Sequence, residues 1–391
     1  MIQQILKIVW KHRGQNALLL LEIFISFLIL AGAFAYILFN FNLFTSPLGF
    51  QTQDRLMILF SDSYAETDSA VYEQKIKALE ADLRNRPEVE SISFGNSVYP
   101  FSWNSWQSVS EQDNVIIEFN TASMDEHFSK TMGVEVAEGR WLSKPVAANA
   151  MEEVVVNRLF LAKNFGGKSM IDSIINLNGD KRITGIIEHY KYNGEFTAEV
   201  PIVISYQNPY NQQYANCLYI KLKQNTPVVF EEQLSKLVYE NTGIKDFIIR
   251  NLDADRAEGS RPTWINLYAI TALTIFLVIN VAMGLFGVLW YNINKRRSEI
   301  SLRKALGATG LSIMLQLTAE MVSLAVVALL IGCLIFWQIA WYELINFAEK
   351  TILYQGMAYA AIFVVLLVLL CSAYPAWRAA RLHPIAGLRD E

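Results

Sequence analysis

AKNFGGKS, Ala162 to Ser169, is the one run in this chain that could hold a nucleotide phosphate. A phosphate loop needs glycine, four residues, then Gly-Lys-Ser/Thr, set between a buried strand and a helix N-terminus so that backbone amides converge on the anion. The last three residues fit, but Ala162 holds the place of the first glycine. The order of elements is also reversed. Apolar spacing predicts a helix over 156–164 before the loop and an extended segment over 174–178 after it. Gly166 or Gly167 then serves as the turn that ends a helix.

A metal or acid–base centre is the next chemistry to seek. The histidines are His12, His127, His189 and His383, and no HExxH, paired-cysteine or G-x-S-x-G pattern accompanies them. Asp125-Glu126-His127 gathers three ionisable groups, but adjacent side chains diverge on a helix or a strand, so the run is expected to be a solvated surface. Cys217, Cys333 and Cys371 are too scattered for a disulfide framework. The expectation is therefore no catalytic residue, no metal ligand and no cofactor-binding residue on this chain. Glu22 and Glu320 fall inside apolar blocks, where acids often mark ion paths. Both lie near basic flanks, so snorkelling or pairing with Arg13 or the basic loop after Asn294 is expected instead.

Those apolar blocks are the elements that must position everything else. The chain is 53% hydrophobic with a mean hydropathy of +0.24, concentrated at 17–41, 264–290, 319–342 and 357–375. Each is long enough for a bilayer core, which needs about 20 residues. Ala31-Gly32-Ala33 resembles a signal-peptidase site, but the first block is longer than a signal peptide's apolar region, so an anchor is expected. Lys7, Lys11 and Arg13 precede block one, Lys295 to Lys304 separate blocks two and three, and Arg378, Arg381 and Arg389 follow block four. Basic flanks stay cytoplasmic, which places both termini inside and residues 41–262 outside. That outer segment carries 21 basic and 30 acidic residues, which argues against nucleic acid as a partner.

The two ends of the outer segment have the same pattern. Arg55–Phe60 and Val89–Gly95 alternate around a helical spacing over 70–86, and 218–223 and 247–250 flank another over 227–241. Two strand–helix–strand units can share one four-stranded sheet. Turn signals at Gly139, Gly166-Gly167, Asn178-Gly179 and Asn193-Gly194 mark a β-rich lobe inserted at about 103–206. The fold class is thus an α-helical membrane protein with four transmembrane helices plus an α+β extracytoplasmic domain, two β-α-β units forming its core.

Between blocks two and three, KRRSEISLRKALGATGLSI predicts a short amphipathic helix from Arg296 to Leu306. Gly307 ends it and Thr309 caps the next. Such a helix can lie on anionic lipid or act as a lever docking in a soluble partner; charge and spacing leave both open.

This segment resembles the R-x-x-E-I-x-x-R-x-A-L-G-A pattern of the FtsX/MacB class of ABC-transporter permeases, where it is the coupling helix. Arg296, Glu299, Ile300, Arg303, Ala305, Leu306, Gly307 and Ala308 occupy it without a gap. Tyr374-PAWRAARLHPIAGLR resembles the family's tail, and 132–141, 153–157 and 183–187 its periplasmic landmarks. The resemblance implies that Arg296, Arg297, Glu299, Ile300, Arg303, Leu306, Gly307 and Ala308 couple to an ATPase. It implies a dimer of separate ATPase subunits that binds ATP and Mg, and a second permease copy or a related permease. A periplasmic adaptor and outer-membrane duct are further implied partners. The short leader before block one leads to the expectation that the ATPase is a separate polypeptide.

The implied organisation is an interfacial helix at 1–16, first span and stalk at 17–45, a MacB-like outer domain at 46–262, and second span and stalk at 263–292. A coupling helix and turn at 293–310 follow, then a third span at 311–346, an outer loop at 347–356, a fourth span at 357–376 and a cytoplasmic tail at 377–391. Among the family's jobs, the size of the outer domain favours efflux across the bacterial inner membrane. Lipoprotein release, regulation of an external hydrolase and, outside the family, a membrane-anchored sensor are the alternatives.

Overall fold

The computed structural model describes residues 13–60, 69–96, 98–102, 105–112, 115–147, 151–210, 216–345 and 347–381. Lys7, Trp10 and Lys11 of the expected interfacial helix, the side chain of Arg13, and the tail beyond Arg381 with His383 and Arg389 lie outside the described residues.

Helix α1 (Arg13–Thr45) leads to β1 (Arg55–Phe60), α2 (Ser69–Arg84) and β2 (Val89–Gly95). Next come β3 (Gln107–Gln112), β4 (Val115–Met124), α3 (Phe128–Met132), β5 (Val136–Gly139), β6 (Glu152–Asn157), α4 (Arg158–Phe165), β7 (Ile174–Asn176), β8 (Asp180–Ile187) and β9 (Ile202–Tyr206). The chain then forms β10 (Cys217–Leu222), α5 (Val229–Thr242), β11 (Phe247–Asn251), α6 (Leu252–Lys295), α7 (Arg297–Ala305), α8 (Gly310–Trp341) and α9 (Lys350–Ala380). Two compact units result: Leu43–Thr263, and α1 up to Asn42 with the chain from Trp264 onward.

In the unit of Leu43–Thr263, the repeated strand–helix–strand pattern builds a four-stranded antiparallel sheet, ordered β11-β1-β10-β2. Alternation along β1 sends Leu56, Ile58 and Phe60 to one face, where Ile76, Leu79 and Leu83 of α2 and Phe230, Leu234 and Val238 of α5 close a core. Met57 points the other way, with Tyr219 of β10, onto Phe128 and Met132 of α3. The inserted lobe continues the sheet as β4-β9-β6-β8-β5, with β4‖β9 and β6‖β8 parallel. Its far face packs Ile117, Phe119, Val154 and Val156 against Phe160 and Leu161 of α4.

The two halves of this sheet meet at one residue pair among the described residues, Gly95↔Met124. Flanking amides complete the link: Asn96 N donates to Ser123 O at 3.0 Å, and Asp125 N to Phe94 O at 3.0 Å. A cleft of about 1020 Å³ opens beside it, lined by Lys77, Ser123, Lys144, Tyr206, Gln207 and Tyr210 among others.

Among the described residues, the other unit holds four helices long and apolar enough to cross a membrane, α1, α6, α8 and α9. Phe27 and Leu30 of α1, Leu285 of α6, Leu324 and Ala328 of α8 and Ala360 and Val364 of α9 share its core. Helix α9 takes in Lys350–Gly356, which the sequence reading assigns to a loop. Glu349 in extended geometry starts the helix there, its carbonyl accepting from Ile352 N and Leu353 N.

Candidate functional site

Helix α7 is short, and its position is set by its ends. Arg296 precedes it and pairs with Glu320 of α8 at 2.9 Å, so Glu320 meets the basic loop as expected. Arg303 donates to Gln316 Oε1 at 3.0 Å and also pairs with Glu299 one turn back. Lys304 Nζ donates to Ala380 O, the last residue of α9, at 2.8 Å. That is a favoured place for a cation, because a helix's final carbonyls are unpaired and carry negative partial charge. At the C-terminus Gly307 takes φ +98°; its N–H donates to Lys304 O at 3.1 Å and Ala308 N–H to Arg303 O at 3.0 Å. Only glycine holds that conformation without strain. Thr309 then caps α8, its hydroxyl accepting from Ser312 N at 3.3 Å, a contact worth about 1 kcal/mol.

Of the eight residues that the family resemblance assigns to ATPase coupling, Arg296, Glu299, Ile300 and Arg303 gather in one small pocket with Gln316 and Glu320. They brace α7 against α8. Ile300 is buried, Arg297 half-buried, and Ala308 packs on the membrane unit's core. Leu306 is the exposed apolar member, 79% exposed, and Leu302, 51% exposed, lies one turn before it. Leu302 is absent from the set drawn from sequence; its i,i+4 spacing from Leu306 is the signal that marks it.

A second constellation occurs where the outer unit begins. Lys191 is 2% exposed, and its ammonium donates to Leu43 O at 2.7 Å, Ser46 Oγ at 2.9 Å and Glu195 O at 2.5 Å. Burial pushes its pKa below the usual lysine value, partly offset by Glu195 and Glu199. Leu43 lies in the last turn of α1, so the ammonium joins the Ser46 hydroxyl in meeting a helix-end carbonyl. The buried Glu195 carboxylate accepts from Arg256 Nε of α6 at 2.6 Å. Asp253 accepts from Thr52 at 2.6 Å, and Asp255 takes a two-pronged bond from Arg250. One loop therefore ties the end of α1 to the start of α6.

The Ala162–Ser169 run is a helix–turn–strand: α4, then Gly166 and Gly167 in left-handed geometry, then β7. Its expected helix over 156–164 needs correction at the start, since Val156 and Asn157 belong to β6. Asn157 caps α4 by accepting from Phe160 N at 3.0 Å.

Asp125 also needs correction. It is 2% exposed, not solvated. Its carboxylate accepts from Ser93 Oγ at 2.6 Å, Phe94 N at 2.8 Å and His127 N at 3.0 Å, which draws it under β2. No group of His, Cys, Asp and Glu among the described residues could hold a metal. Burial outweighs the three donors and raises the Asp125 pKa from 3.8 to about 7. The folded carboxyl thus keeps its proton where the unfolded one has lost it. The stabilisation is complete below about pH 4 and disappears as pH rises through about 7. The melting temperature of the purified chain is expected to fall by about 10 °C across that window beyond the fall in Asp125→Asn. Parallel slopes in scanning fluorimetry of the two proteins would contradict this.

Glu22 of α1 packs against Gly284 of α6 and has no hydrogen-bond or ion-pair partner among the described residues, so its pairing with the basic loop is not seen. The three cysteines are free.

The description "MacB-like periplasmic core domain" fits residues 17–237, and "FtsX-like permease C-terminal" fits residues 270–384. Among curated relatives, a "Macrolide export ATP-binding/permease protein MacB" of Vibrio parahaemolyticus is 25% identical over 335 residues, 80% of this chain and 49% of that protein. One from Bordetella avium is 23% identical over 290 residues, 71% of this chain and 44% of that one. The chain spans about half the length of the curated relatives it matches. The periplasmic region of MacB from Actinobacillus actinomycetemcomitans aligns with a TM-score of 0.38 and 15% identity, over 55% of this chain and 95% of that one. The periplasmic-core description alone covers more than half of the 391 residues, and the chain belongs to the FtsX/MacB class of ABC-transporter permeases.

Proposed function

We propose that this permease carries the motion of a partner ATPase across the bacterial inner membrane to its outer α/β unit, for export of a periplasmic or membrane-associated substrate. The observation that carries the proposal is the bracing of α7. Its inner face is bolted to α8 by Arg296–Glu320 and Arg303–Gln316 and to α9 by Lys304, while Leu302 and Leu306 face outward. A load on those leucines passes into α8 and α9 rather than bending a free loop. Helix α6 spans 44 residues, from Leu252 to Lys295, with Pro262 inside it.

In this reading α7 and both termini are cytoplasmic, and ATP and Mg are bound by a dimer of ATPase subunits. This chain contributes no catalytic group, and a second permease copy completes the assembly. The relatives' printed role in macrolide export supports efflux over lipoprotein release or regulation of an external hydrolase, and an adaptor and outer-membrane duct fit that role.

The test is co-purification from membranes. Leu306→Glu is expected to lower recovery of the ATPase at least tenfold, as loss of an exposed anchor does (about 2 kcal/mol or more), with insertion unchanged. An ATPase that co-purifies equally with both proteins, or a thiol at Ser301→Cys labelled from outside intact cells, would overturn the reading.

A further inference from the structure

The four-span unit carries an aromatic–arginine ladder that the coupling of α7 does not use. At the end of the bundle that bears α7, Phe286 and Trp290 of α6 stack at 5.9 Å, and Phe286 stacks on Tyr374 of α9 at 6.3 Å. Tyr374 is followed by Trp377 at 6.3 Å. Two guanidiniums lie on this array: Arg378 over Trp290 at 4.6 Å and Arg381 over Trp377 at 3.9 Å. Neither has a carboxylate partner among the described residues. An arginine laid on an indole is held by cation–π attraction, while its N–H edge remains free for a planar, two-pronged acceptor such as phosphate.

The ladder continues into an apolar track. Ile362, Leu366, Leu370 and Tyr374 follow one another at intervals of four along α9, and all are more than half exposed. Four-residue spacing keeps them on one face, and twelve residues of helix run about 18 Å. An acyl chain needs such a track, and a soluble acidic protein does not. We propose that this face is a binding site for an anionic phospholipid, with phosphate on Arg378 and Arg381 and an acyl chain along Tyr374, Leu370, Leu366 and Ile362. Basic pockets between membrane helices recognise anionic headgroups in this way, and Trp and Tyr favour the same depth. The proposal does not depend on the ATPase reading.

The test is native mass spectrometry of the full-length chain in neutral detergent, titrated with phosphatidylglycerol or phosphatidylcholine of identical acyl chains. The native chain is expected to retain phosphatidylglycerol in preference. Arg378→Gln with Arg381→Gln should weaken that binding by about tenfold or more and leave phosphatidylcholine unchanged. Arg261→Gln with Lys350→Gln, an equal loss of charge elsewhere, should change neither. Should the arginine-to-glutamine pair not fold, Arg378→Lys with Arg381→Lys keeps the charge, loses the planar stack and should still lose selectivity. Equal retention of the two lipids by the native chain would overturn the proposal. So would displacement of the lipid by millimolar inorganic phosphate. A glutamine pair that keeps phosphatidylglycerol but loses a co-purifying protein or a second copy of the chain would reassign the face to protein docking.

Discussion

Gly49→Ala is expected to destabilise the outer unit by about 4 kcal/mol, the largest effect of any single methyl group in it. Gly49 has φ +82°, and a Cβ there would lie 1.8 Å from the carbonyl oxygen of His189 and 2.4 Å from its carbon. Both are backbone atoms, so no side chain can swing aside. The neighbouring bond from Lys191 N to Leu48 O, 2.8 Å long, holds the two segments together at that point. Relief would have to break it and disturb Phe50, which packs on Tyr190 at 5.5 Å. Left-handed geometry alone costs about 1–2 kcal/mol; the collision supplies the rest. In thermal unfolding of the purified chain this is about 10 °C. Gly166→Ala is the control: φ is +62° there too, but the space is open, and about 1 kcal/mol is expected. Equal losses in the two variants would show that crowding at His189 plays no part.

Lys191→Met comes next, at about 3 kcal/mol. Methionine fills nearly the same volume, so the effect isolates the ammonium. Its removal leaves the carbonyl of buried Glu195 without this donor and Ser46 Oγ without its ammonium, while Leu43 O keeps its bond from the Ser46 hydroxyl; a buried acceptor so stranded costs about 1–3 kcal/mol. Limited proteolysis gives a local readout: Lys191→Met should expose the segment around Ser46 to cleavage well before the remainder of the sheet. A variant cut no faster than the native chain there would show that the ammonium does not hold the end of α1.

Much of the chain was legible because its signals are local. Gly307 and Thr309 mark the ends of α7 and α8 within three residues of their partners, and alternation across Arg55–Phe60 and Val89–Gly95 defines β1 and β2. The apolar blocks announce the spans by length alone. What escaped is non-local. Lys191 meets Leu43, and Asp125 meets Ser93, across long stretches of sequence, so neither burial has a periodic signature. Arg55, buried at the head of β1, donates to Thr131 O at 2.8 Å and is equally silent. A weak clue was present in Tyr190-Lys191-Tyr192, a lone cation between two large apolar rings. The inward orientation of Arg303 was hidden for another reason: basic residues on an amphipathic helix are assigned to its wet side, and here Gln316 and Glu320 of α8 meet them.

The Gly95↔Met124 pair gives the outer unit a crease. Elsewhere adjoining strands share ladders of three or more rungs, and bending there breaks several hydrogen bonds together. At the crease it strains one rung and its two flanking amides, so thermal and applied distortion concentrates along that line, and its amides exchange ahead of their neighbours. Because the cleft bordered by Ser123 and Tyr206 lies alongside, a change in the angle of the crease is also a change in the width of its mouth.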